Sequence, residues 1–439
     1  MAHRMPSRSN RVPLYLMLPG IAYLLFLCFR APDARLYWEY AGRLTHRAVT
    51  EGYLEWMDHR VGNLKAVETA LQLNHVLPAY SGFSSPYPPG ALLLFSAVRL
   101  PFDELHRFSL AFGLLDSICL CIAAFMTMRF AQQRFGSPHA SSVVACAFTV
   151  WIALIGPFAV TRFDPVVVIL VTAAMLASGA QQRWMAGLSL GLGASVKLWP
   201  MFLVPILVLV CREGPRRAVF SRPTLLLVSG AILGFALPHL IVLAMGTVPS
   251  DLFDYLTVYA DRPPQVESLQ ANLLAIGHIF RLTTVTSEFD FASNNLIIDN
   301  WQALSRLFSL VFLAAYFGTL ISILTASNPR KIEVSAMGFV IISLILCSKV
   351  FSGEYLIWIM PFALLAATAR QWGIVASYAI ALVFLKLVYR HWDAVISVQP
   401  WGTSLLTAKN VACVAMGCAF AHAIVVCRTR PSSPVGRTV

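Results

Sequence analysis

Residues 184–211 read WMAGLSLGLGASVKLWPMFLVPILVLVC, twenty-eight largely apolar residues interrupted by Lys197 and Pro200. A bilayer-spanning helix takes roughly 20 apolar residues, so this run is either one long tilted span or two short ones. Arg183 precedes it, and Arg212, Arg216, Arg217 and Arg222 flank its end. Short cytoplasmic loops collect Lys and Arg, so both ends belong on the same side. That favours a tight pair with Lys197 near the far turn. Each member would reach only about 21 Å at 1.5 Å per residue, which implies tilt or local thinning of the bilayer.

The rest of the chain agrees with a membrane setting. Of 439 residues, 58% are hydrophobic and 12% charged, against about a quarter charged in soluble domains. That excludes a soluble globular domain, and the absence of a triplet Gly/Pro period excludes a collagen-like chain. The net charge of +12 reads first as basic cytoplasmic loops and not as a nucleic-acid surface. The nine Cys lie inside or at the ends of apolar runs in no zinc or redox spacing, and read as small apolar filler. Arg4, Arg8 and Arg11 precede an apolar run to Phe29 without a small-residue cleavage site, which reads as an uncleaved signal anchor.

Working outward with the Lys/Arg rule gives about 12 transmembrane helices in one membrane domain, 1–439. The spans are 12–29, 107–129, 142–160, 165–180, the pair in 184–211, 223–245, 302–325, 334–350, 355–369, 372–388 and 404–427. Residues 1–11 and the tail 428–439 fall in the cytoplasm. Residues 30–106 form a first extracytoplasmic loop and 246–300 a second. Within the first, Gly90 to Phe102 is too short to span and reads as an interfacial or re-entrant helix. The acids were not used in this sorting, yet of 21 Asp+Glu only Glu213 and Glu333 fall in inside loops and Asp116 within a span. The other acids gather on the outer face, where chemistry is to be sought.

Several groups stand out there. Asp33, Tyr37 and Tyr40 share a helical face at i, i+4, i+7; Asp33 suits a general base or an N-cap after Pro32. Ser85-Pro-Tyr87-Pro-Pro-Gly90 fixes an extended entry into the short helix. Arg162-Phe-Asp164 lies at a span end. Lys197 inside an apolar run must face a cavity or a partner: it pairs with Asp164, binds a phosphate, or snorkels to the interface. Gln265-Val-Glu267-Ser268 and Lys349-Val-Phe-Ser352-Gly-Glu354-Tyr355-Leu-Ile-Trp358 are polar turns at membrane edges. Asp116 is a lone membrane acid that suits a helix–helix contact or a pathway. No metal site, P-loop or dinucleotide fingerprint is present.

In this order the motifs resemble the GT-C membrane glycosyltransferases, and among them glycosyltransferase family 87, whose members are similar to polyprenol-phosphate-mannose-dependent α-mannosyltransferases. Asp33 with Tyr37, Tyr87-Pro-Pro, Asp116, Arg162-Phe-Asp164, Lys197-Leu-Trp-Pro, Gln265-Val-Glu267-Ser and the Lys349–Trp358 stretch carry the resemblance, over about residues 12 to 370. Departures are Gly90 for an apolar residue, Pro263-Pro264 for Gly-Leu, and Gly353-Glu354 for Pro-Gln. The resemblance implies an all-α, GT-C-like fold and inverting transfer of a hexose, mannose first, from a polyprenyl-phosphate sugar to a glycolipid or glycan at the extracytoplasmic face. Asp33 would be the base. Lys197 with Lys349 would hold the donor phosphate, and Asp164, Glu267 and Glu354 the sugar hydroxyls, with Tyr37, Tyr87, Gln265 and Tyr355 lining the site. No cofactor or metal is called for, and the lipid bilayer is the expected partner. A secondary transporter or a non-catalytic subunit of envelope polymer assembly are the rival readings.

Overall fold

The computed structural model describes residues 14–29, 34, 37–38, 41, 87–102, 104–136, 139–211, 221–247, 249, 251–290, 293–298 and 301–429. Asp33 and Tyr40 lie outside the described residues, as does most of the first loop.

The described chain is a helical bundle. A 3-10 turn, Leu14–Met17, leads into α1 (Leu18–Phe29); α2 is Pro89–Arg99, α3 Leu105–Phe135, α4 His139–Ile155, α5 Asp164–Gly179 and α6 Arg183–Val196. Then come α7 (Leu203–Val210), α8 (Arg222–Ala244), α9 (Asp254–Asp261) and α10 (Leu269–Ile279). The bundle closes with α11 (Trp301–Thr325), α12 (Pro329–Cys347), α13 (Leu356–Thr368), α14 (Trp372–Arg390), α15 (Trp392–Ile396) and α16 (Pro400–Thr429). Six helices among the described residues are long and apolar enough to cross a membrane: Leu105–Phe135, His139–Ala159, Arg222–Ala244, Trp301–Thr325, Trp372–Arg390 and Pro400–Arg428. The other expected spans correspond to shorter or more polar helices. The all-helical expectation needs one amendment. Thr286–Asp290 and Ser293–Ile297 pair antiparallel as β1 and β2, where Thr286, Phe289, Leu296 and Ile297 favour a pleated surface.

The 184–211 run breaks at Lys197. Its backbone is extended (φ −154°, ψ 124°), and Pro200, without an N–H, helps turn the chain through the 3-10 segment Trp199–Phe202. The run is an out-and-back pair. Arg183 Nη1, at the start of α6, donates to the Ser178 carbonyl at 2.9 Å. Cys211 Sγ, just past α7, lies 3.9 Å from Ser178 Oγ.

Helices α6 and α8 run parallel and touch backbone to backbone. A Cβ on Gly187 would sit 1.9 Å from the Leu227 carbonyl oxygen, and one on Gly191 2.1 Å from that of Ala231. From the other side, Gly230 and Gly234 meet the Trp184 and Leu188 carbonyls at 2.3 and 2.4 Å. Two glycines four apart on each helix thus form a small-residue seam, which lets membrane helices approach where lipid offers no hydrophobic drive.

At the centre lies α13. Leu356 through Ala367 are all buried, so protein surrounds this helix and Pro361 costs it little access to partners. By contrast α11 exposes Leu307, Leu310, Val311, Phe317 and Ile321, the pattern of a lipid-facing edge. Helix ends differ in their acids. Arg134, Arg183, Arg222, Arg330, Lys331, Arg370 and Arg428 stand at one end with Glu333, and the turns holding Arg162, Lys197 and Glu354 at the other, where Arg107, Arg306 and Arg390 are mixed with most of the described acids.

Gly191→Ala should destabilise the protein by roughly 1–3 kcal/mol, the range for overpacking. Gly318→Ala, where a Cβ meets nothing within 4 Å, should be neutral or gain up to about 1 kcal/mol. Thermal unfolding of both variants in detergent checks the contrast; equal melting temperatures would remove the seam from the account.

Candidate active site

The site begins in the turn between α4 and α5. Gly156 adopts φ +65°, which frees the chain to turn into Gly156–Ala159. The chain then presents Arg162, Phe163 and Asp164, with Asp164 and Pro165 opening α5. A carboxylate in the first turn suits the helix dipole. Lys197, on the α6–α7 turn, places Nζ 2.7 Å from Asp164 Oδ1, and Trp358 Nε1 donates to the same oxygen. Three rings surround the ammonium, with centroids at 4.4 Å for Tyr355, 4.9 Å for Trp358 and 5.0 Å for Phe163. The Asp164 side chain is 1% exposed and that of Lys197 14%. Asp164 Oδ2 has no protein partner among the described residues.

A second group adjoins it. Arg162 Nε is 3.7 Å from Glu354 Oε2, which also accepts from the Ser352 hydroxyl. Arg162 Nη1 donates to Tyr37 Oη at 3.3 Å. Burial alone would push the Glu354 carboxyl up, but Arg162, Lys197 and the Ser352 hydroxyl together hold it below the usual range. Tyr37 meets Tyr87 and Phe163 edge-on at 5.9 and 5.6 Å. Helix α2 supports this wall, since Phe95 stacks on Tyr37 at 4.7 Å.

Beside Lys197 is a cavity of about 220 Å³ lined by Tyr87, Lys197, Trp199, Tyr259, Tyr355 and Trp358 among others. Phe202, Tyr259, Leu344 and Ser348 also border a larger groove of about 1060 Å³ along α11 and α12. Lys349 lies in that groove with Arg306. Its Nζ donates to the Ala260 carbonyl at 2.7 Å and stands 4.6 Å from the Trp301 ring centre.

The segment before α10 brings in Gln265 and Glu267. It is stitched on both sides: Gln265 N to the Lys349 carbonyl at 2.8 Å, and Leu296 N of β2 to the Pro264 carbonyl at 2.8 Å. Ser268 caps α10 by accepting from Ala271 N at 3.1 Å. Glu267 accepts from the Tyr389 hydroxyl at 2.9 Å and from Gln265 Nε2 at 3.1 Å. Burial outweighs these donors and Lys409, and with Glu354 nearby pushes the Glu267 carboxyl up to about 7.

Sequence reasoning assigned no role to Lys409, which is fully buried, donates to the Glu267 carbonyl at 3.0 Å and lies 3.8 Å from the Phe351 ring centre. The signal was available: a lysine inside the apolar run 404–427, the same feature that marked Lys197. Tyr37, Tyr87, Asp164, Lys197, Glu354 and Tyr355 are thus brought together, Gln265 and Glu267 form an adjoining cluster, and Lys349 faces the groove. Asp116 is fully buried, its carboxyl without a protein partner among the described residues. Among those residues no three His, Cys, Asp or Glu side chains group as metal ligands.

Two measurements test this electrostatic layout. Lys197→Met strands a buried carboxylate and should cost about 3–5 kcal/mol; adding Asp164→Asn should restore most of that loss in thermal unfolding. Between about pH 4.5 and 7 the folded protein keeps a proton on Glu267 that the unfolded chain releases. Stability should therefore fall as pH rises through that window, and Glu267→Gln should flatten the slope of melting temperature against pH.

No curated protein matches the chain. Residues 86–240, the segment that supplies Tyr87, Arg162, Asp164 and Lys197, match the model of glycosyltransferase family 87, and over that segment the chain is similar to membrane glycosyltransferases of this family.

Proposed function

We propose that the chain transfers a hexose, with mannose the first candidate, from a polyprenyl-phosphate sugar to a glycolipid or glycan acceptor. The observation that carries this reading is the position of Lys197: a cation enclosed by aromatic rings at a cavity that adjoins a long groove. The apolar side of the groove, from Leu310, Phe312, Leu313 and Leu344, suits a prenyl chain, Lys349 and Lys197 suit its phosphate, and the rings of Tyr355, Trp358 and Trp199 suit the apolar face of a sugar. The basic helix ends lie opposite this site, which supports an extracytoplasmic site by the Lys/Arg rule.

The chemistry follows from the donor. An acceptor hydroxyl attacks the anomeric carbon and gives its proton to Asp33. The bond from that carbon to the phosphate oxygen breaks, and polyprenyl phosphate leaves with the electron pair. The phosphate goes from one negative charge to two, so a fixed ammonium favours the transition state over the ground state. Asp164 and Trp358 hold Lys197 in place for this. Glu354, kept ionised by Arg162, and Glu267 are the candidates for sugar hydroxyls. One displacement implies inversion at the anomeric carbon.

Membranes containing the chain, given labelled polyprenyl-phosphate mannose, glucose or arabinose, should form one labelled product with inverted configuration. Asp33→Asn should lower the rate about 10²–10⁴-fold, the range for a general base. Full activity of Asp33→Asn would reject the base. Substrate uptake into vesicles without any transfer product would reject the enzyme reading in favour of a transporter.

A further inference from the structure

A cavity of about 490 Å³ opens at the end of the bundle away from Lys197, where α3 and α16 finish and α12 and α14 begin. Arg134, Lys331, Arg370 and His422 line it, and no carboxylate does so among the described residues. The nearby Glu333 is buried and lies in the field of Arg134, Arg330 and Arg183. The cations therefore outnumber it.

Two backbone features point the same way. Trp372 and Gly373, the first residues of α14, border the cavity, and no side chain caps that helix. The leading N–H groups of a helix lack intrahelical partners and favour an anion. Arg370 holds φ +57°, a left-handed conformation in which glycine is the residue of least strain. Gln181 and Arg281 hold the same conformation just past α5 and α10, so it is a way these helices end, and here it sets Arg370 on the cavity rim.

Apart from Ser335 and Gln371 the remaining walls are apolar, among them Leu365, Ala419 and Val426. Trp372 stands 63% exposed at the rim, as tryptophans do at the level of lipid headgroups. A soluble anion has no use for such walls, whereas a lipid has both a phosphate and chains. We propose that this cavity binds the phosphate of an anionic phospholipid from the leaflet at that end, its chains lying along the apolar walls. The site is separate from the Lys197 cavity, and its test reads binding, not transfer.

The full-length protein is reconstituted into nanodiscs of phosphatidylcholine with and without phosphatidylglycerol, and followed by thermal unfolding and by native mass spectrometry. Phosphatidylglycerol should raise the melting temperature and stay bound; soluble glycerol phosphate should do neither. Arg370→Gly suits the backbone conformation, so it should fold at least as well in phosphatidylcholine while weakening phosphatidylglycerol binding about fivefold. Arg134→Gln added to it should weaken binding about fivefold again. Undiminished retention of phosphatidylglycerol by the double variant would overturn the site. Equal stabilisation by glycerol phosphate would overturn its assignment to lipid.

Discussion

The Lys197–Asp164 contact is the constraint around which the bundle is arranged. Charges this deeply enclosed lose their hydration, and mutual attraction alone does not reliably repay the loss. Here the carboxylate takes a second donor from Trp358 and the ammonium faces three rings, so α5, the α6–α7 turn and α13 must meet at one point. Helix lengths then set its depth. Gly179 lies against Phe130 and Gln133, so α3 and α5 are level at the basic end. With 31 residues in α3 and 16 in α5, the far end of α5 stops about 20 Å short of that of α3. The pair sits in a recess and not on a rim.

Around that pair the protein sets two carboxylates in opposite states. Glu354 has Arg162 and Lys197 on hand and remains an anion; Glu267 has hydroxyl and amide donors, with Lys409 on its backbone carbonyl, and holds a proton up to near neutrality. Environments that drive like groups apart in this way are what a site needs if one group is to stay charged while another exchanges protons. Both carboxylates are buried, and the division follows from what offsets that burial: Arg162, Lys197 and the Ser352 hydroxyl do so at Glu354, whereas Lys409 and the Tyr389 hydroxyl do not at Glu267.

The sequence made some features plain because they break a pattern. A lysine in an apolar run, prolines at its edge and arginines at both flanks were enough to place the Lys197 turn and the out-and-back path. Motif order pointed to Tyr37, Asp164 and Glu354 as neighbours, although more than a hundred residues separate each from the next. Features set by tertiary packing did not show. Nothing in the apolar text of Leu356–Thr368 distinguishes a helix buried on all sides from one facing lipid. The 286–297 hairpin has pairing partners only three to eleven residues apart and too few strands to impose a visible alternation. Gly187, Gly191, Gly230 and Gly234 carry the spacing of a close seam, but the spacing does not say which helix answers which. Lys409 was overlooked because its run contains no proline to mark a break.

Gly90 draws these strands together. A Cβ at this position would lie 2.5 Å from Ser195 Oγ and 2.6 Å from the Ser195 carbonyl oxygen, so the first turn of α2 is seated directly on the last turn of α6. That contact couples the last part of the first loop to the backbone two residues before Lys197. A larger residue at 90 would have to be matched by a retreat of the Ser195 turn, and the ammonium would move with it. Positions 90 and 195 are accordingly a place where evolution could retune the depth of the recess without altering a single charged group.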